Sequence, residues 1–275
     1  MTKTILLTGS TGFVGRQVLK ELKKHSVKIR LIVREDNSKG IDFNDQIEPL
    51  ILTPDLFSES LSWWQNVLCG VDTVIHVAWY AEPGLYLQSA KNLDCLSGTL
   101  TMAKACANSR VRRFVGVGTC FEYDLEYGLL KTTTPLKPDS PYASSKAAAF
   151  LALSQWLPSQ AVEFAWCRLF YLYGEGEDER RLVPYIHKQL QKGEPAELTS
   201  GKQIRDFLNV AEAGRILAET ALNTRQGSVN ICSGIPITVR QLAEKIADEY
   251  GRRDLLKFGV RPDNLIDPPC VVGII

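Results

Sequence analysis

Residues 4–15, TILLTGSTGFVG, decide the fold. Ile5, Leu6 and Leu7 form a short apolar run ending in Thr8. Gly9, Gly12 and Gly15 follow at three-residue spacing, and a helical pattern then opens through Val14, Val18, Leu19 and Leu22. Strand, glycine turn and helix in that order bring backbone N–H groups and a helix N-terminus to face one point, which suits the diphosphate of a dinucleotide. Without β-carbons at Gly9 and Gly12 the backbone can approach phosphates closely, and Gly15 lets the helix pack on the strand. A bare surface turn also collects glycine, but this one follows a strand and opens a helix, the context the dinucleotide motif requires.

Residues 27–33, VKIRLIV, alternate and then run apolar, as a second parallel strand does. A carboxylate at the end of this strand would bind the ribose hydroxyls of NAD, whereas an arginine can pair with the 2′-phosphate of NADP. Val33 takes the acid position and Arg34 follows, with Ser38 and Lys39 close behind, so NADP is the expected cofactor. Glu35 and Asp36 stand next to Arg34 and leave NAD open.

The alternation continues. A third strand is expected over 46–53, followed by Asp55-Leu56, a helix over 58–68 with Ser58 as N-cap, and a fourth strand over 71–77. A long helix over 87–108, with Leu93, Leu96, Leu100, Ala103 and Ala107 inward, precedes a fifth strand over 113–117 that ends at Gly118-Thr119-Cys120. Strands alternating with helices imply right-handed crossovers and a doubly wound parallel sheet of the Rossmann type, with the ligand crevice at the carboxyl ends of its strands. Gly9, Arg34, Asp55, Ala78 and Thr119 fall at such ends and are expected to line one cleft. Later segments, helical over 182–192, 211–222 and 239–250 with a short strand over 228–232, fit a smaller C-terminal α/β lobe. The expected division is 1–168 for the dinucleotide-binding part and 169–275 mainly for a substrate-binding lobe.

Composition bounds the partners. A chain of 275 residues, 45% hydrophobic and 23% charged with a formal net charge of +1, reads as a soluble globular protein with no basic surplus for nucleic acid or an anionic membrane. No apolar run reaches the length of a membrane span, and residue 4 already opens a strand, so no signal peptide is expected. Seven scattered cysteines without a CxxC pair and three distant histidines suggest reduced thiols of a cytoplasmic protein and no metal site.

Pro141-Tyr142-Ala143-Ser144-Ser145-Lys146 opens an alanine-rich helix expected to run to about 156. Tyr142 and Lys146, four apart, project from one helical face. A lysine ammonium beside a phenol favours the phenolate and lowers its pKa by roughly 1 to 3 from a reference near 10, towards the range useful for proton transfer.

These motifs, with Asp55-Leu56, His76-Val77-Ala78, Thr119, Arg168-Leu169-Phe170 before Tyr173-Gly174, and the segment GKQIRDF at 201–207, resemble the extended short-chain dehydrogenase/reductases, and within them the nucleotide-sugar epimerase, dehydratase and reductase group. The likeness covers nearly the whole chain. It implies that Gly9, Thr11, Gly12, Phe13, Val14 and Gly15 hold the cofactor diphosphate, that Asp55 and Leu56 contact the adenine, and that Val77, Ala78, Trp79 and Phe170 line the cofactor cleft. It further implies Thr119 as hydrogen-bond donor to the reacting oxygen, Tyr142 as proton donor, Lys146 on the nicotinamide ribose, and Tyr80, Tyr171, Arg205 and Arg261 on a nucleotide-sugar substrate, the two arginines as cations for its diphosphate.

Departures from the family pattern narrow the chemistry. Dehydratases of this group follow the threonine with Asp and Glu; here Cys120 and Phe121 follow, and Glu122, one place too far on an extended segment, would point to the other face. Tyr171 replaces the asparagine common in epimerases. Cys95 stands where many members carry a cofactor-side asparagine, for which Asn92, one turn earlier, is a substitute. The resemblance leads one to expect a last helix beyond Arg261-Pro262, and its lack before Ile275 leaves a truncated product open. Trp79, Tyr80, Pro83 and Tyr86 form an aromatic loop that either stacks on the sugar or packs as core. The expected activity is NADPH-dependent reduction of a nucleotide-linked 4-keto-6-deoxy sugar by a homodimer; a 4-epimerase and a redox-inert dinucleotide-binding regulator are the alternatives.

Overall fold

The computed structural model describes residues 2–34, 44–264 and 266–275. The residues 35–43, which include Glu35, Asp36, Ser38 and Lys39, lie outside the described residues. Near-continuous apolar strands need cover on both faces, and the chain supplies it. β1 (Thr4–Thr8), β2 (Lys28–Arg34), β3 (Ile51–Thr53), β4 (Thr73–His76), β5 (Arg113–Thr119), β7 (Glu163–Leu169) and β11 (Gly227–Ile231) form one parallel sheet in the order β11-β7-β5-β4-β1-β2-β3. Side chains alternate across the strands: Ile5 and Leu7 meet Val18 and Leu22 of α1 (Phe13–Leu22) and Leu217 of α6 (Val210–Leu222). Leu6 meets the opposite layer, with Trp64 of α2 (Leu61–Val67), Met102 of α3 (Lys91–Asn108) and Leu153 of α4 (Pro141–Ser159). Strand order reverses between β1 and β4, which opens the crevice there.

A second sheet runs β12-β10-β14-β6, from β6 (Leu129–Leu130), β10 (Ile204–Asn209), β12 (Pro236–Thr238) and β14 (Cys270–Gly273), with β8 (Tyr171–Tyr173) paired to β10. Beside it, α5 (Leu182–Lys192) and α7 (Val239–Tyr250) enclose a small core with β9 (Ala196–Leu198) and β13 (Leu256–Phe258). From beyond residue 168, α6 and β11 lie with the large sheet; from before it, β6 lies with the smaller one.

Some expectations shift in detail. The third strand covers only Ile51–Thr53, with Ile47 making an isolated bridge to Ile29, because Pro49 has no N–H to give a ladder. Ser60, not Ser58, caps α2 by accepting from the Trp63 N–H, while the Ser58 hydroxyl donates to Asp55. On α3, Ala103 is buried and Leu96, Leu100 and Ala107 pack against the same core, as expected, but Leu93 is 62% exposed, and Asn92, Cys95, Thr99 and Met102 join the inward side.

Candidate active site

The glycine turn has the shape the diphosphate reading needs. Gly9 has φ +73° and a β-carbon there would come within 2.8 Å of the Ala78 backbone nitrogen; one at Gly15 would run into the Gly9 carbonyl. The Gly12 N–H donates to the Gly9 carbonyl at 3.0 Å, and α1 starts at Phe13 with no side-chain cap, which leaves its first-turn N–H groups and the positive end of its dipole for an anion. The Ser10 hydroxyl next to this turn is buried without a partner. A cradle closed to β-carbons, an uncapped helix start and an orphaned hydroxyl fit a dinucleotide diphosphate. Behind it, buried His76 bridges the hydroxyls of Thr8 and Thr99, each at 2.9 Å, and burial depresses its pKa to about 3, so the ring is neutral.

One cleft of about 1300 Å³ opens over the carboxyl ends of the strands. Gly9, Arg34, Asp55, Ala78 and Thr119 all line it, together with Thr11, Gly12, Phe13, Val14 and Gly15. Arg34 is exposed at the end of β2. Asp55 accepts from the Phe57 N–H at 3.0 Å and the Ser58 hydroxyl at 2.9 Å, which fixes the turn carrying Leu56 into the cleft wall. Val77, Trp79, Tyr80, Tyr142, Phe170, Tyr171 and Arg205 complete the expected set on its wall. Lys146 and Arg261 do not line it.

The Tyr142–Lys146 pair is arranged differently from its sequence reading. Ser140 caps α4 and sets Tyr142 in the first turn, where its phenol faces the Thr119 hydroxyl and its ring meets Tyr86 edge-on at 4.8 Å. Burial, with Tyr86 and Glu122 nearby, holds the phenol well above its usual range, so it stays protonated; the expected lowering by Lys146 is not what the geometry produces. The reason is that Lys146 turns away: its Nζ donates to the Val117 carbonyl at 2.6 Å and lies 3.8 Å from the Trp79 ring centroid. Loss of water pulls its pKa down to about 7. Asn92 accepts from the Trp79 indole at 2.8 Å and donates to the carbonyls of Tyr86 and Ser89, so it anchors the aromatic loop rather than facing the cleft. Cys95 and Cys120 do line the cleft, with burial pushing their thiols up to about 11 and about 12.

At the far end, Arg205 is 3% exposed, its guanidinium 2.7 Å from Asp267 and over the Tyr171 ring. Arg261 instead stacks on Tyr185, 4.7 Å from its centroid. Sequence reasoning did not single out Asp267 or Gln203, which line this end; the Gln203 side-chain oxygen is buried without a partner. Only Gln203 had a signal, its place in GKQIRDF. Among the described residues no group of three or more His, Cys, Asp or Glu could hold a metal ion.

Comparison with known proteins agrees with this geometry. The sequence model of the NAD dependent epimerase/dehydratase family matches residues 5–232. The chain is 24% identical over 273 residues to dTDP-6-deoxy-L-talose 4-dehydrogenase (NAD(+)) of Aggregatibacter actinomycetemcomitans, with 98% of each chain covered. Its fold matches UDP-N-acetylglucosamine 4-epimerase from Methanobrevibacter ruminantium M1, solved with UDP-N-acetylmuramic acid, at TM-score 0.85 and 22% identity over 100% of this chain and 90% of that one. It also matches the dTDP-glucose 4,6-dehydratase DesIV of Streptomyces venezuelae, solved with NAD and TYD, at TM-score 0.81 and 21% identity over 98% and 88%. The glycine cradle, the cleft at the strand ends and the family match make this chain an enzyme of the NAD dependent epimerase/dehydratase family.

Proposed function

We propose that the enzyme reduces a nucleotide-linked 4-keto-6-deoxy sugar with NADPH. The observation that carries this reading is the Tyr142 phenol, held protonated and facing the Thr119 hydroxyl in the same cleft as the glycine cradle. A protonated phenol is the form that gives a proton to a ketone oxygen as it gains charge. NADPH, when bound, supplies the hydride to the ketone carbon. Tyr142 donates its proton to the oxygen and is reprotonated from solvent, while the Thr119 hydroxyl hydrogen-bonds the same oxygen as charge develops. Lys146, held by the Val117 carbonyl beside the Trp79 ring, is the proposed contact of the nicotinamide ribose.

Arg34, exposed on the cleft wall, supports NADPH; the cofactor in the talose dehydrogenase's name supports NADH as the alternative. Oxidation at C4 of a dTDP-6-deoxy sugar, the activity in that name, is the reverse of the proposed reaction. Arg205 is the proposed cation for the substrate diphosphate, displacing Asp267. Dehydration has no acid at positions 120 and 121, and Glu122 is engaged by Arg168. Buried free thiols at Cys95, Cys106, Cys120, Cys167 and Cys232 support a cytoplasmic location, and among the described residues no helix is long and apolar enough to cross a membrane.

The test is a rate assay with dTDP-4-keto-6-deoxyglucose and either NADPH or NADH. The expected result is oxidation of NADPH in preference to NADH, with Tyr142→Phe slowing turnover about 10²- to 10⁴-fold while leaving NADPH binding in place. Formation of a C4 epimer without net cofactor oxidation, on tightly retained NAD, would identify an epimerase. Binding of NADPH without turnover of any keto sugar would identify a regulator.

A further inference from the structure

We infer that Glu122 is a positioning residue of this site: its buried carboxylate fixes the end of β5 and, through it, the Thr119 hydroxyl and the Lys146 ammonium. The inference rests on the roles proposed above for Thr119, Tyr142 and Lys146.

Residues 120–122 form a single 3₁₀ turn, not an extended segment, so Glu122 folds back beneath the strand end. There its Oε1 accepts from the Thr119 N–H at 2.9 Å, both oxygens accept from the Trp166 indole at 3.0 and 3.1 Å, and Oε2 accepts from Arg168 Nε at 2.7 Å. Thr119 returns the bond by capping the same turn, its hydroxyl accepting from the Phe121 N–H at 3.3 Å. The rotamer of the proposed oxygen-binding hydroxyl is therefore set by the turn that Glu122 closes. Two residues back along β5, the Val117 carbonyl receives the Lys146 ammonium.

The sequence makes room for this arrangement. A β-carbon at Gly118 would collide with both Glu122 Oε1 and the Trp166 indole, so the carboxylate reaches the strand only because residue 118 is glycine. Arg168 is held in turn, its guanidinium 4.6 Å from the Tyr123 ring centroid and 4.3 Å from that of Phe150, with Nη1 donating to the Tyr123 hydroxyl at 3.1 Å. A fully buried ion pair adds little stability over apolar residues of the same volume. Its value here lies in where it holds Thr119.

Glu122→Gln removes the charge and keeps the shape. The charged and titratable groups around the reacting pair are Tyr86, Cys120 and Glu122 at Tyr142, and Glu122, Cys95 and His76 at Lys146; Glu122 itself faces Arg168 and Tyr123. With Glu122 neutral, Tyr142 and Lys146 both lose a charge that raises their pKa. The expected result is a kcat lower by about 10- to 100-fold, a KM for the nucleotide sugar within about twofold of the parent, and an alkaline limb of the kcat profile moved to lower pH. A lower melting temperature with unchanged kcat per folded molecule and an unmoved limb would overturn the inference and leave a purely structural ion pair. If the single variant does not fold, E122Q/R168M, which carries no unmatched cation, is judged by the kcat and KM readings alone. Tyr142→Phe run alongside separates the two claims: if it keeps full activity, the proposed chemistry has failed, whatever Glu122 does.

Discussion

Lys146 is 2% exposed and stands between a carbonyl and an indole face, an unusual place for an ammonium. Its pKa of about 7 in the fold lies below the value near 10.4 of an unfolded chain, so between those limits the unfolded state binds more protons and stability rises with pH. Below pH 7 the full penalty applies. Lys146→Met is expected to be more stable than the parent at pH 6 to 7, by on the order of a few kcal/mol, with the gap closing towards pH 10 and turnover lost; urea unfolding at several pH values checks this. A gap independent of pH would mean that the lysine is solvated. The Tyr-x-x-x-Lys spacing was readable because helix geometry alone puts both residues on one face. The turn of the ammonium to Val117, and the rise at Tyr142 that burial and the nearby Tyr86 produce, were not readable, since Trp79 and Tyr86 reach the pair from a loop distant in sequence.

At the scale of elements, the long parallel strands and amphipathic helices declared themselves through period, and α5 and α7 fall where their patterns put them. Elements defined by their partners did not. The three-residue strands β8, β9, β12 and β13 have too few residues to show a period, and on α3 Leu93 leaves the buried face while the polar Asn92 and Thr99 join it, which an apolar period does not show. β5 carries the tightest demand, with Gly116 against the Trp166 ring and Gly118 against Trp166 and Glu122. Gly118→Ala is expected to lose about 1 to 3 kcal/mol in urea unfolding and to lower turnover more than Gly70→Ala, where a β-carbon meets nothing within 4 Å and the strain of a positive φ is the whole effect. Equal turnover in the two variants would count against the role given to the end of β5.

For the molecule as a whole, the family and the cleft were legible because its motifs are local and ordered along the chain, each at a strand end. Arg261 was placed by motif order alone, and that order carries no information on side-chain direction, which Tyr185 decides. Leu93 on α3 and Leu151 on α4 are 62% and 57% exposed, and we propose that these two helices, which pack on each other, form the face on which a second copy pairs. Light scattering after gel filtration is expected to give the mass of two chains, and L93D/L151D that of one, with the fold retained. A monomeric parent would remove the homodimer.

The Trp79 indole, tethered by Asn92 and lying flat on the Lys146 ammonium, also gives the enzyme its own optical reporter. It is the one of five tryptophans that borders the crevice among the described residues, so its emission is expected to change as NADPH is titrated in, and Trp79→Phe to silence the signal while the other four indoles go on glowing unaltered. Arrival of a dinucleotide can then be timed by light alone, with no sugar present and no turnover needed.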